Sequence, residues 1–110
     1  MNIKTRTERD ITVVALAGNL DSNTSPEAQQ ALDAILAGGS RKIVVDFTAL
    51  DYISSAGLRV LLGAAKRLGG AEGGLRLFGL NETVREVFHI SGFSTILSVS
   101  ATEADALKGL

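Results

Sequence analysis

Residues 42–68 read KIVVDFTALDYISSAGLRVLLGAAKRL, and the hydrophobic period changes once along them. KIVVDF (Lys42–Phe47) is a nearly continuous apolar run too short for a helix, the pattern of a central strand buried on both faces. TALDYIS then reads as a loop. From Ser55 onward Leu58, Leu61, Leu62, Ala65 and Leu68 fall on one stripe, with Lys66 and Arg67 at the negative end of the implied helix. Gly69-Gly70 ends it. A buried strand feeding directly into an amphipathic helix is half of a parallel crossover unit.

The flanks extend the same alternation. Upstream, Ile3–Thr7 and Ile11–Ala17 flank Glu8-Arg9-Asp10 and predict a hairpin, with Gly18 ending the second strand. After NLDSNT, Ser25 can cap a helix, Pro26 suits its first position and Glu27 complements its positive end. Ala28, Ala31, Leu32, Ile35 and Leu36 form its apolar face, and Gly38-Gly39 is the stop. Downstream, LRLFGL (Leu75–Leu80) reads as a strand. Asn81 caps a helix through Val84, Val87 and Phe88 that Gly92 closes. Ile96–Val99 is a short strand, and Ser100 with Glu103 predicts a capping box for a last helix carrying Ala104 and Leu107. The order is β β α β α β α β α. It predicts a single α/β domain over residues 1–110, a mixed and mostly parallel β-sheet covered by about four helices.

Composition narrows the chemistry. A chain of 110 residues supports one core, and surface scaling predicts roughly 5,800 Å² of folded surface. Eleven basic against twelve acidic residues argue against a nucleic-acid binder, which carries a basic face. No apolar run approaches the ~20 residues of a membrane span and no signal-peptide pattern opens the chain, so a soluble, cytoplasmic protein is expected. Without cysteine there is no disulfide, thiolate nucleophile or cysteine metal site. The single histidine, His89, lacks a partner at metal-ligand spacing and reads as a helix-end residue. GGAEGG (Gly69–Gly74) lacks the Lys-Ser/Thr of a phosphate cradle and precedes a strand, so it reads as a connector. Neither an enzyme nor a bound cofactor or metal is expected.

Function concentrates in Asp51–Leu58, at the strand-to-helix junction. A helix start leaves N–H groups unpaired and concentrates positive potential. A serine placed there either caps the helix, which physics alone favours, or carries a phosphate, whose charge the dipole welcomes. Gly57 inside the first turn sacrifices helix propensity, about 0.5–1 kcal/mol relative to alanine. That sacrifice is reasonable if a partner's backbone approaches closely.

With these residues in hand, the chain resembles the STAS domain, and in particular the small single-domain bacterial anti-sigma factor antagonists. The resemblance spans essentially the whole chain and rests on Gly18-x-Leu20-Asp21, on KIVVDF with its Asp46, and on YISSAGLRVLL (Tyr52–Leu62). In that family the phosphorylated Ser or Thr lies two positions before the glycine, which here is Ser55, with Ser54 the secondary candidate. Many members carry aspartate where this chain has Ser54, and Ser or Thr where it has Ala56. The resemblance implies a partner surface of Asp21, Ser22, Asn23, Thr24, Ser54, Ser55, Ala56, Gly57, Leu58 and Arg59. The partners it implies are a serine kinase of the histidine-kinase-like ATPase type that doubles as an anti-sigma factor, and a PP2C-type phosphatase. The free chain is expected to be monomeric. A phosphate on Ser55 is expected near Asp21, Asp46 or Asp51, and Gly57→Val is expected to impair docking while the domain stays folded. The alternative is a non-phosphorylated STAS scaffold or ligand-binding module of a transporter or stress-sensing complex.

Overall fold

A computed structural model of the chain describes residues 1–69, 74–93, 97–108 and 110. The elements are β1 (Asn2–Glu8), β2 (Ile11–Leu20), α1 (Ser25–Ala37), β3 (Ile43–Ile53), α2 (Ser55–Arg67), β4 (Leu75–Phe78), α3 (Glu82–Ser91), β5 (Ser98–Ser100) and α4 (Glu103–Lys108). The predicted order is reproduced, and the accessible surface is 5756 Å².

The sheet runs β1-β2-β3-β4-β5, antiparallel at the opening hairpin and parallel elsewhere. The two-residue turn Arg9-Asp10 places Arg9 at φ +58°, the left-handed conformation such hairpins require. Because each parallel strand is added on the same side of the last, right-handed crossovers put α1, α2 and α3 on one face. There Ala28, Leu32 and Leu36, Leu58, Leu61, Ala64 and Ala65, and Val84 and Phe88 cover Val14, Leu16, Val45, Phe47 and Leu77. Phe47 and Phe88 meet edge to face at 6.1 Å. A smaller cluster on the opposite face packs Ala106 of α4 over Ile11, Val13, Val44 and Phe78. Among the described residues no helix is long and apolar enough to cross a membrane.

Two sequence expectations fail for one reason. TALDYIS is no loop, since β3 continues to Ile53, and Gly18 does not stop β2, which continues to Leu20. The β2–β3 register slips between Ala15 and Ala17 and again between Gly18 and Asn19, each time giving β3 one extra residue. With a bulge in each interval, Phe47, Leu50 and Ile53 all face the core at a spacing of three. The period-two signature of a strand is thereby lost. Gly18, at φ +99°, follows the bend without breaking the ladder.

Helix ends shift by similar local chemistry. Thr24, not Ser25, is the residue before α1, and Ser25 is buried with its hydroxyl donating to the Asp21 carbonyl. β4 stops at Phe78, before Gly79 at φ +79°. The Asn81 cap accepts from Val84 N at 2.8 Å and Gly92 closes α3 at φ +78°, as read from the sequence. Ser100 and Glu103 form no capping box. Thr102 Oγ1 accepts from Asp105 N at 3.1 Å, while Glu103 pairs with Arg6 of β1 and raises its pKa, chiefly through that hydrogen bond. Ala106, not Ala104, is the buried alanine of α4. Ile96 and Gly70–Gly73 lie outside the described residues, so the predicted start of β5 and most of the connector do too.

The α2 stripe is also rotated. Leu61 is fully buried, but Leu62 is half-buried, and Val60 and Ala64 take the remaining inward positions. Leu61→Ala should cost about 2–5 kcal/mol and Leu62→Ala under about 1.5 kcal/mol in urea unfolding. Equal losses would contradict this orientation.

Candidate functional site

The end of β2 and the start of α2 are joined by the backbone. Leu20 pairs with Ile53 in the parallel ladder, and Ser54 N then donates to Leu20 O at 2.9 Å. Gly57 allows the helix to start this close. A Cβ there would lie 2.7 Å from Leu20 Cγ and 2.9 Å from both Ile53 Cγ1 and Leu20 O. The glycine therefore answers to an approach within the chain, and Gly57→Val is expected to disturb the packing at Leu20 and Ile53, not docking alone. Leu20–Thr24 and Ser54–Arg59 are brought together beyond the C-terminal ends of adjacent parallel strands, where such sheets place binding loops.

The β2–α1 loop is held by its own side chains. Asp21 Oδ1 accepts from Asn23 N at 2.9 Å and from Thr24 N at 3.1 Å. Thr24 Oγ1 accepts from Asp21 N at 2.9 Å and donates to Asn19 O at 2.8 Å. Ser25 N returns to Asp21 O at 2.8 Å. The Asp21 carboxylate thus shapes the loop, while Ser22 and Asn23 are exposed at its tip.

At the helix start the two serines divide the work. Ser54 is the N-cap, and its Oγ accepts from Gly57 N at 3.5 Å. Ser55 is the first residue of α2 and is exposed, whereas Ala56 is half-buried. Leu58 is buried in the core beside Gly57, and Arg59 one residue on is exposed. The first turn of α2 contains no acid, unlike those of α1, α3 and α4. Of the three acids expected near a phosphate, Asp46 is not there. It sits seven residues before Ile53 in β3, roughly 20 Å along the strand, and accepts from Thr48 N at 2.8 Å.

Tyr52 was missed by the sequence reading. It is 45% exposed beside the site, paired in the ladder with Asn19. It falls in TALDYIS, which the sequence reads as a loop, and only the continuation of β3 past the second bulge fixes its outward position. His89 is exposed in the last turn of α3, and among the described residues no group of three or more histidines and carboxylates could hold a metal.

Comparison with known proteins places this geometry. The STAS domain model matches residues 2–106. The chain belongs to the STAS domain family. BtrV of Bordetella bronchiseptica is 44% identical over 88 residues, covering 80% of this chain and 76% of that protein. The anti-sigma-B factor antagonist of Listeria monocytogenes is 32% identical over 92 residues, covering 84% and 81% of the two chains. An anti-sigma factor antagonist from Mycobacterium paratuberculosis superposes with a TM-score of 0.88 at 26% identity, over 97% of this chain and 91% of that one. Bacillus SpoIIAA, solved in unphosphorylated and phosphorylated forms, shares the fold of this STAS domain at a TM-score of 0.71 and 24% identity, over 97% of this chain in both cases. It covers 96% and 97% of those chains.

Two stability measurements test the local account. Gly57→Val should lower stability by at least about 1–3 kcal/mol, since Leu20 O and the Ile53 side chain must both move. A wild-type urea midpoint would remove the close approach as the reason for glycine. Asp21→Ala should cost about 1–2 kcal/mol and Asp21→Asn less, because asparagine keeps an acceptor for Asn23 N and Thr24 N.

Proposed function

We propose that this STAS domain is an anti-sigma factor antagonist that works by partner switching, with Ser55 as its phosphorylation site. Unphosphorylated, it binds a serine kinase of the histidine-kinase-like ATPase type through the outer face of Leu20–Thr24 and Ser54–Arg59, where Ser22, Asn23, Ser55 and Arg59 are exposed and Leu20, Gly57 and Leu58 are buried beneath. That kinase doubles as an anti-sigma factor, and its client is released. The kinase passes the γ-phosphoryl of its ATP to Ser55 Oγ, the hydroxyl gives up its proton, ADP is left, and the complex separates. A PP2C-type phosphatase hydrolyses the ester to serine and inorganic phosphate and restores binding. The chain acts as a binding switch and not as an enzyme.

The observation that carries the assignment is the division between the serines: Ser54 Oγ is turned back to Gly57 N, and Ser55 is exposed as the first helical residue. The relatives named anti-sigma factor antagonists support the partner class, and a phosphorylated chain of this fold supports the modification. A phosphate adds about −1.5 to −2 charges to the middle of the docking surface. Charging a central contact commonly costs 2 kcal/mol or more, about thirtyfold in affinity. No refolding is required.

Ser55→Ala should bind the kinase persistently and resist phosphorylation, Ser55→Asp should bind more weakly, and Ser54→Ala should still be phosphorylated. Phosphopeptide mass spectrometry after incubation with ATP and the kinase captured on the unphosphorylated chain reads this directly. Phosphate on Ser54 in the wild type, or retained in Ser55→Ala, would overturn the assignment.

A further inference from the structure

We infer that Arg59 is the internal counter-charge of a phosphate on Ser55, closing a clamp across one turn of α2. The inference rests on the Ser55 reading above and adds a residue that regulates the phosphorylated state. Ser55 and Arg59 stand four apart in the same helix and both are exposed, so they share its outer face, where such pairs lie about 5–6 Å apart at Cβ. The acidic partner comes first and the basic one second, the favourable direction along a helix.

Within the two segments that meet at the α2 start, Arg59 is the one base. Residues 19–24 and 51–59, the two segments that meet here, contain Asp21, Asp51 and one base, Arg59. Asp21 Oδ1 is occupied by Asn23 N and Thr24 N. The basic residues with ion pairs engage acids outside these two segments: Arg6 holds Glu8 and Glu103, Lys42 holds Asp10 and Arg67 holds Asp33. Arg59 has no ion pair among the described residues. It is therefore a cation near the positive end of a helix dipole, in a turn without an acid, where it gains nothing locally while Ser55 is bare. A phosphate at Ser55 supplies the missing anion, and guanidinium binds phosphate through paired, charge-assisted hydrogen bonds. The clamp also withdraws Arg59 from the surface offered to a partner, so one modification adds negative charge and removes an available cation.

The test uses the full chain with phosphoserine incorporated at position 55 during translation, so no kinase is needed. The second ionisation of the phosphate, ordinarily near pH 6, is followed by phosphorus NMR at low salt in the wild type, Arg59→Gln and Arg59→Lys. Arg59 should lower that pKa by about 0.3–0.6 unit relative to Arg59→Gln, a two- to fourfold change in proton affinity. Arg59→Lys should recover part of the shift, and 1 M salt should shrink it. Circular dichroism checks that each variant is folded. Arg59 is exposed, and lysine provides a second variant should glutamine disturb the helix. Identical phosphate pKa values in the wild type and both variants would overturn the clamp. Kinase mapping to a residue other than Ser55 would instead overturn the reading on which it rests, and the two failures are read from different samples.

Discussion

Helix α2 begins against the backbone of Leu20, and the space for that contact is the side chain that Gly57 lacks. Ser54 N donates to Leu20 O at 2.9 Å, and a Cβ on Gly57 would intrude to 2.9 Å of the same oxygen. Three things follow from this one approach. The β2–α1 loop is drawn beside the α2 start, Leu58 and Leu61 enter the core, and the residues between them and solvent are left in a fixed order. Ser55 and Arg59 face outward because Leu58 and Leu61 face inward. The presentation of the exposed serine is a consequence of core packing on the opposite side of the same helix.

The sheet makes this possible by being irregular where the site begins. Two bulges lengthen β3 against β2, so both strands end together at Leu20 and Ile53 although β3 has supplied two more residues since the Ala15–Asp46 pair. Without them, Leu50 and Ile53 could not both point into the core with Phe47. Bulges commonly re-aim side chains beside functional sites, and here the second one exposes Tyr52 and delivers Ser54 to the cap position.

This explains which features were legible in the sequence. Element order, the parallel sheet and helices α1 to α3 follow from period, glycine stops and apolar faces, which are local signals. Ser55 at the helix start was legible for the same reason, because SSAG precedes an amphipathic stripe. What failed was non-local. KIVVDF announces a strand, but TALDYI loses alternation to bulges that exist only because β2 lies alongside. Gly57 carries a visible cost in helix propensity, yet the atoms that require it belong to Leu20 and Ile53, and nothing in residues 54–58 names Leu20. Asp46 belongs to the same recognisable strand, but the length of β3 carries it away from Ser55. Tyr52 lies in the same TALDYI stretch, and only its ladder pairing with Asn19 fixes its outward position.

The rigidity of the junction constrains how a switch here can work. Leu20, Ile53, Leu58 and Leu61 are each at most 3% exposed, and the β2–α1 loop is tied by Asp21, Thr24 and Ser25. Ser55 is exposed, so a group added to its Oγ need displace no packed element. In the proposed switch, the free-energy difference between the two forms then arises mainly at the surface, from charge and from desolvation when a partner docks. Both depend on whether the charge is satisfied within the chain or left for the partner to meet. In the proposed clamp, an exposed serine four residues before an arginine with no ion pair among the described residues would set that balance locally. On the proposed reading the switch is set by two side chains, Ser55 and Arg59, and the fold holds them in place.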